Sequence, residues 1–168
     1  MASPLAGLHI VAPASRVGPE PLVHRLRGEG CEVTVFPQVR AASPLRPELL
    51  DRALAQIERF DLVLVTGSLS VATTASRLER LAGEWRRRLP PVAAVGEATA
   101  DALRRRGVAP AAVLAMHTPE GIATELAPLT GRRLLLVREE TATANLPAAL
   151  RQEGAAVEGS PGFRLEVM

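Results

Sequence analysis

Tyrosine is absent from this sequence, and its only aromatic side chains are Phe36, Phe60, Trp85 and Phe163. Surfaces that bind single-stranded nucleic acid stack bases on exposed aromatics, so a nucleic-acid partner is not expected. Cysteine occurs once, as Cys31. No disulfide can form within the chain, which fits a reducing cytoplasm. Cys31 precedes a strand pattern and has no neighbouring histidine, so neither a nucleophile nor a metal ligand is expected there. His9, His24 and His117 have no ligand spacing to one another or to the cysteine, and no metal site is expected. No apolar run approaches the roughly 20 residues of a membrane span, and residues 1–7 lack the pattern of a secretory signal. The expected location is the cytoplasm, away from membranes. Walker and G-x-G-x-x-G loops, a Ser/His/Asp set and paired carboxylates are all missing.

What remains is an ordinary globular composition. The 168 residues suit one medium domain or two small lobes, with 47% apolar and 23% charged residues. The core must be built from Ala, Leu and Val. Net charge is +2, and the 20 basic residues are arginines. The runs Arg86-Arg87-Arg88 and Arg104-Arg105-Arg106 fall near expected helix ends, where cations are favoured by the helix dipole. That reading is plainer than a nucleic-acid patch and leaves room for an anionic small-molecule partner.

Short β-rich runs alternate with helical patterns. Strands are expected at Leu8–Val11, Glu32–Phe36, Asp61–Thr66, Pro91–Val95, Ala112–Ala115, Arg133–Val137 and from Ala156. Helices are expected over Pro21–Gly28, Glu48–Phe60, Val71–Gly83, Glu97–Arg106, from Thr118 to about Ala127, and over Leu146–Glu153. Thr118-Pro119-Glu120 is a strong helix start: a capping Thr, Pro at the first helical position and an acid at the second. Residues 37–47 are rich in Pro, Ser and Ala without periodicity and read as a linker. Asp61–Thr66 is apolar on both faces, as a parallel strand covered by helices would be. The pattern implies an α/β fold with parallel sheets. One internal repeat stands out: Leu22 to Val33 can be laid on Leu146 to Val157, with Leu, Leu, Arg, Glu, Gly and Val coinciding.

In such sheets ligands bind beyond the carboxyl ends of the strands, near helix N-termini. Thr66-Gly67-Ser68-Leu69-Ser70 and Gly96-Glu97-Ala98-Thr99-Ala100 occupy two such ends. Each can present backbone N–H groups and a hydroxyl to a carboxylate; each also reads as a plain strand-to-helix turn. Arg138 lies just past a third strand and is either a ligand contact or a solvated cation.

The ordered set of signals resembles the uroporphyrinogen-III synthase family. The resembling pieces are the strand ending in Thr66 with its small-residue turn, then Val92-Ala-Ala-Val-Gly-Glu-Ala-Thr-Ala-Asp-Ala-Leu-Arg-Arg-Arg-Gly107. Thr118-Pro-Glu-Gly121, the strand before Arg138, Leu146 to Gly154 and Gly162-Phe-Arg-Leu-Glu166 complete the set. The resemblance implies two flavodoxin-like or Rossmann-like parallel-sheet lobes joined by a two-stranded linker, with the first lobe incomplete in this chain. The boundaries it implies are 1–36 for the first part of lobe one, 37–47 for the linker, 48–158 for lobe two and 159–168 for a return linker. It implies no cofactor and no metal. The substrate it implies is hydroxymethylbilane, a flexible linear tetrapyrrole bearing acetate and propionate groups. The reaction is loss of the terminal hydroxyl and ring closure through a spiro intermediate that inverts the last pyrrole ring. Thr99 matches the family's active-cleft threonine. Thr66, Gly67 and Ser68 match the first cleft loop, Gly96 and Glu97 the second, and Arg138 a cleft-side basic position.

Three departures bear on that expectation. Thr66 is followed by Gly67 where many members carry Ser. Phe163 stands where the family has a tyrosine proposed to assist hydroxyl departure, and Phe can donate neither a proton nor a hydrogen bond. The family continues past the position of Met168, which leaves open an oligomer or a second polypeptide completing lobe one. A non-catalytic tetrapyrrole- or partner-binding module of the same family is the alternative reading.

Overall fold

The structure is a computed structural model, and it describes residues 3–13, 21–36, 39–81, 84–142 and 145–167. The chain divides into two compact units, Met1–Ala41 with Leu165–Met168, and Ala42–Arg164.

In the first unit, β1 (His9–Pro13), α1 (Pro21–Gly28) and β2 (Glu32–Phe36) form one β-α-β piece. The two strands run parallel, His9 opposite Glu32 through Pro13 opposite Phe36. Ala12, Val23, Cys31 and Val33 form a small core, with Leu5, Ile10 and Leu26 packed against it.

The second unit contains α2 (Pro47–Ala55), a 3-10 turn at Ile57–Arg59, β4 (Leu62–Val65), α3 (Ser68–Leu81) and α4 (Trp85–Arg88). Then follow β5 (Val92–Val95), α5 (Glu97–Arg105), β6 (Ala112–Leu114), α6 (Pro119–Leu126), β7 (Arg133–Glu139), α7 (Asn145–Gln152) and β8 (Ala156–Val167). The sheet order is β8-β7-β4-β5-β6, every neighbouring pair parallel, with β3 (Val39–Ala42) at the outer edge beside β8. Strands β3 and β8 both cross the division between the units.

Strand alternation assigns the two faces of this sheet. Val63, Val65, Val92, Ala94, Leu135 and Val137 pack with residues of α2, α3 and α5. Leu62, Leu64, Ala93, Val95, Leu134 and Leu136 pack with residues of α6 and α7. Strands buried on both faces must be apolar at every position, which is why β4, β5 and the middle of β7 read as unbroken apolar runs. Asp61 pins the β4–β7 register at its start: its carboxylate accepts the Arg133 N–H at 2.7 Å, and its own N–H donates to the Arg133 carbonyl at 2.8 Å.

Several boundaries differ from the sequence expectation. The helix expected to reach Phe60 stops at Ala55 and tightens into the 3-10 turn, which buries Ile57 before the chain extends into β4. Gly67 to Ser70, expected as a turn, is mostly helix. α3 starts at Ser68, Val71 N–H bonds the Gly67 carbonyl at 3.2 Å, and Ser70 is fully buried. The expected end of that helix at Gly83 lies outside the described residues. Within the span read as a linker without periodicity, Val39–Ala42 is a strand. Arg138 lies inside β7 rather than past it. The start expected at Thr118 is observed: its hydroxyl accepts the Gly121 N–H at 3.2 Å.

Candidate functional site

Parallel pairing brings four strand ends to one edge of the second unit. Val65 lies opposite Val137 on one side and Ala94 on the other, and Val95 lies opposite Leu114. Thr66, Gly96 and Arg138 therefore share the carboxyl edge of adjacent strands, and the chain leaving β6 adds His117. At this edge, on the face covered by α6 and α7, is a cavity of about 250 Å3. Thr66, His117 and Arg138 give it polar groups; Val95, Pro119, Ile122, Ala142 and Leu146 make the rest of its wall.

Arg138 is half-buried, and burial lowers its pKa below the ordinary guanidinium value, with the Glu139 carboxylate acting in the opposite sense. It remains a cation, since arginine does not deprotonate in proteins. Gly96 caps α5 at φ 79°, ψ 154°, a region open essentially to glycine alone. Its N–H donates to the Leu114 carbonyl at 2.9 Å, tying the end of β5 to β6. A Cβ on Gly96 would come within 3.2 Å of His117 Cε1. The glycine thus supplies both the turn and the room for the imidazole.

The expected site residues do not all converge. Thr66 and Arg138 line the cavity, and Gly96 borders His117. Gly67 and exposed Ser68 lead into α3. Glu97 and Thr99 lie in the first turn of α5, which packs on the opposite face of the sheet from α6 and α7. Thr99 is only 4% exposed, and Glu97 is exposed with its carboxylate 3.2 Å from Arg104, a cation that Asp101 holds more closely at 2.7 Å. Neither Thr99 nor Glu97 is in the cavity wall. His117 was missed because an isolated histidine carries no spacing signal. The signal that marks it is position, three residues past the end of β6, at the same carboxyl edge as Thr66, Gly96 and Arg138.

A roomier hollow of about 400 Å3 lies at the amino end of the sheet, lined by Phe60, Arg133, Arg151 and Glu158 among others. The amino edge is not where parallel α/β sheets bind ligands. Its Arg151 is engaged locally, donating to the Val157 carbonyl at 3.0 Å. Among the described residues no group of three or more His, Cys, Asp or Glu side chains is placed to hold a metal ion. No helix among them is long and apolar enough to cross a membrane.

The family model described as uroporphyrinogen-III synthase HemD matches residues 20–168. The chain belongs to the uroporphyrinogen-III synthase family. It is 29% identical over 166 residues to the uroporphyrinogen-III synthase of Synechococcus elongatus, covering 95% of this chain and 61% of that protein. A mutant uroporphyrinogen III synthase of Thermus thermophilus superposes with a TM-score of 0.69 at 22% identity, covering 96% of this chain and 64% of that one. The Helicobacter pylori uroporphyrinogen-III synthetase gives 0.56 at 14% identity, covering 96% and 62%. At these identities the structural likeness speaks for the shared α/β fold. The chain spans about three-fifths of the length of these uroporphyrinogen-III synthases.

Proposed function

We propose that this chain carries out uroporphyrinogen-III synthesis, closing hydroxymethylbilane to uroporphyrinogen III with loss of water and inversion of ring D. The observation that carries the proposal is the family match over residues 20–168. The geometry is compatible with it. The substrate is a flexible polyanion, and its terminal C–O bond must break with a proton delivered to the departing hydroxyl, so that water leaves. A carbon–carbon bond then closes the ring. What a protein adds is chiefly conformation: holding the carboxylates so that attack occurs at the hindered carbon. At the carboxyl edge of the sheet, Arg138 supplies a cation and Thr66 a hydroxyl. Gly67 and Gly96, with Ser68 and Glu97 opening α3 and α5 behind them, would border the bound substrate. Thr99, buried in the first turn of α5, would act by setting the Gly96 turn rather than by touching substrate.

Phe163 favours the second reading, a tetrapyrrole-binding module without catalysis. It is 8% exposed and pairs with Glu139 across β7 and β8, so the position offers no proton donor. A coupled assay separates the two readings. Hydroxymethylbilane is generated in situ, the protein added, and the ratio of type III to type I uroporphyrin measured after oxidation. The expected result is type III above the protein-free control, reduced in Arg138→Gln. Type I alone from folded protein would sink the catalytic reading.

A further inference from the structure

The cavity at the carboxyl edge has two unlike sides. Thr66, exposed His117 and half-buried Arg138 are polar, and Arg138 is a cation; Val95, Ile122 and Leu146 are apolar. The helix that begins beside it adds little to its polarity. Thr118 takes the Gly121 N–H at 3.2 Å through its hydroxyl and the Ile122 N–H at 2.9 Å through its carbonyl, and Pro119 has no N–H. The polar side chains in the cavity wall are Thr66, His117 and Arg138. Gly96 leaves room for the imidazole, because a Cβ there would lie 3.2 Å from His117 Cε1. A volume of about 250 Å3 exceeds what a bare inorganic anion needs, and the apolar wall suits carbon.

From this we infer that the cavity seats one short alkyl-carboxylate arm. Its methylenes lie against Val95, Ile122 and Leu146, and its carboxylate is held between the His117 imidazole and the Arg138 guanidinium. His117 is then a binding residue of the site that no sequence pattern marked. An imidazole has an N–H donor in either tautomer, and a carboxylate accepts from it and from a guanidinium at once. The identity of the molecule carrying the arm rests on the tetrapyrrole reading above; the carboxylate site itself does not.

The test uses propionate as the smallest probe and uroporphyrin III as the large one, with His117 ring resonances followed by NMR. Propionate is expected to shift the His117 resonances, propionamide to leave them in place, and Arg138→Gln to abolish the shift while Arg138→Lys keeps most of it. For uroporphyrin III, His117→Gln is expected to weaken binding roughly tenfold, the size of one hydrogen bond to a charged group. A propionate response without uroporphyrin binding would support the carboxylate site and count against the tetrapyrrole reading. Absence of any propionate response at His117, or a response that survives Arg138→Gln unchanged, overturns the inference, whatever uroporphyrin does.

Discussion

The β1-α1-β2 piece of the first unit and the β7-α7-β8 piece of the second are the same construction, and every matched residue lies 124 positions from its counterpart, as Gly7 does from Gly131 and Gly30 from Gly154. Both helices end in the same left-handed glycine cap. Gly30 (φ 85°) and Gly154 (φ 88°) donate to Arg27 and Arg151 carbonyls, and the next residues, Cys31 and Ala155, reach back to Leu26 and Leu150. Arg27 and Arg151 each donate to the carbonyl six residues on, Val33 at 3.2 Å and Val157 at 3.0 Å. Gly7 bonds Gly30, and Gly131 bonds Gly154, both at 3.0 Å. Burial tells the two apart. Val11 is 63% exposed where its counterpart Leu135 is 0%, and Leu22 is 57% exposed where Leu146 is 8%. Local hydrogen bonding is thus set by the piece itself. Coverage is set by what surrounds it: Leu135 packs in the cluster that includes α2 and α3 residues, and Leu146 in the one that includes α6 residues.

The sharpest way to break this comparison is truncation at matched positions. Leu135→Ala is expected to cost about 3–4 kcal/mol, a fully buried leucine leaving a cavity, read by urea unfolding at Trp85, which lies in the same cluster. Val11→Ala is expected to change hydrogen exchange at the β1 and β2 amides by less than about 0.5 kcal/mol. Equal costs at the two positions would mean that Val11 is covered in solution.

The glycine caps give a smaller contrast. Gly30→Ala is expected to cost about 1–2 kcal/mol for the left-handed conformation alone, since its Cβ would meet only Ala6, at 3.4 Å from Cβ and 3.5 Å from Cα. At Gly154 the Cβ would fall 2.9 Å from Thr130 Cα, a backbone atom, so Gly154→Ala should cost about 2–4 kcal/mol. Thermal unfolding of the two variants checks the order, and a costlier Gly30→Ala would reverse it.

The smallest expected effect sharpens the covered side. Thr74 on α3 is 7% exposed, its hydroxyl has no partner among the described residues, and it faces a small apolar cavity with Val63, Leu78 and Trp85. Thr74→Val keeps the shape and removes the unpaired hydroxyl, and should raise stability by about 1 kcal/mol. A lower urea midpoint would show that the hydroxyl is satisfied.

Parallel strands buried on both faces were legible because unbroken apolar runs between helical patterns have few other solutions, and the sheet-edge rule then pointed to Thr66 and Arg138. Thr99 reads two ways, because its motif speaks for a cleft while its helical phase speaks for the core: it stands four residues before buried Leu103, on the same face of α5. Ser68 looked like turn chemistry because small hydroxyl residues suit both turns and first helical turns. The length of β8 was illegible, since Gly159, Pro161 and Gly162 break any strand pattern. Gly162 fits there for a packing reason, as a Cβ would lie 2.9 Å from Val137 Cγ1.

The constant interval between the paired pieces also says what this construction requires. From Gly7 to Val33 and from Gly131 to Val157 the two stretches have equal length, yet most of their residues differ. Side chains differ across strand and helix faces, while the spacing from the first glycine to the last valine is the same in both. An added residue would shift the capping glycine off the helix end and every strand pair out of step, whereas a changed side chain need only suit its surroundings. Length is what the two pieces share throughout, and their identical side chains fall chiefly around the cap.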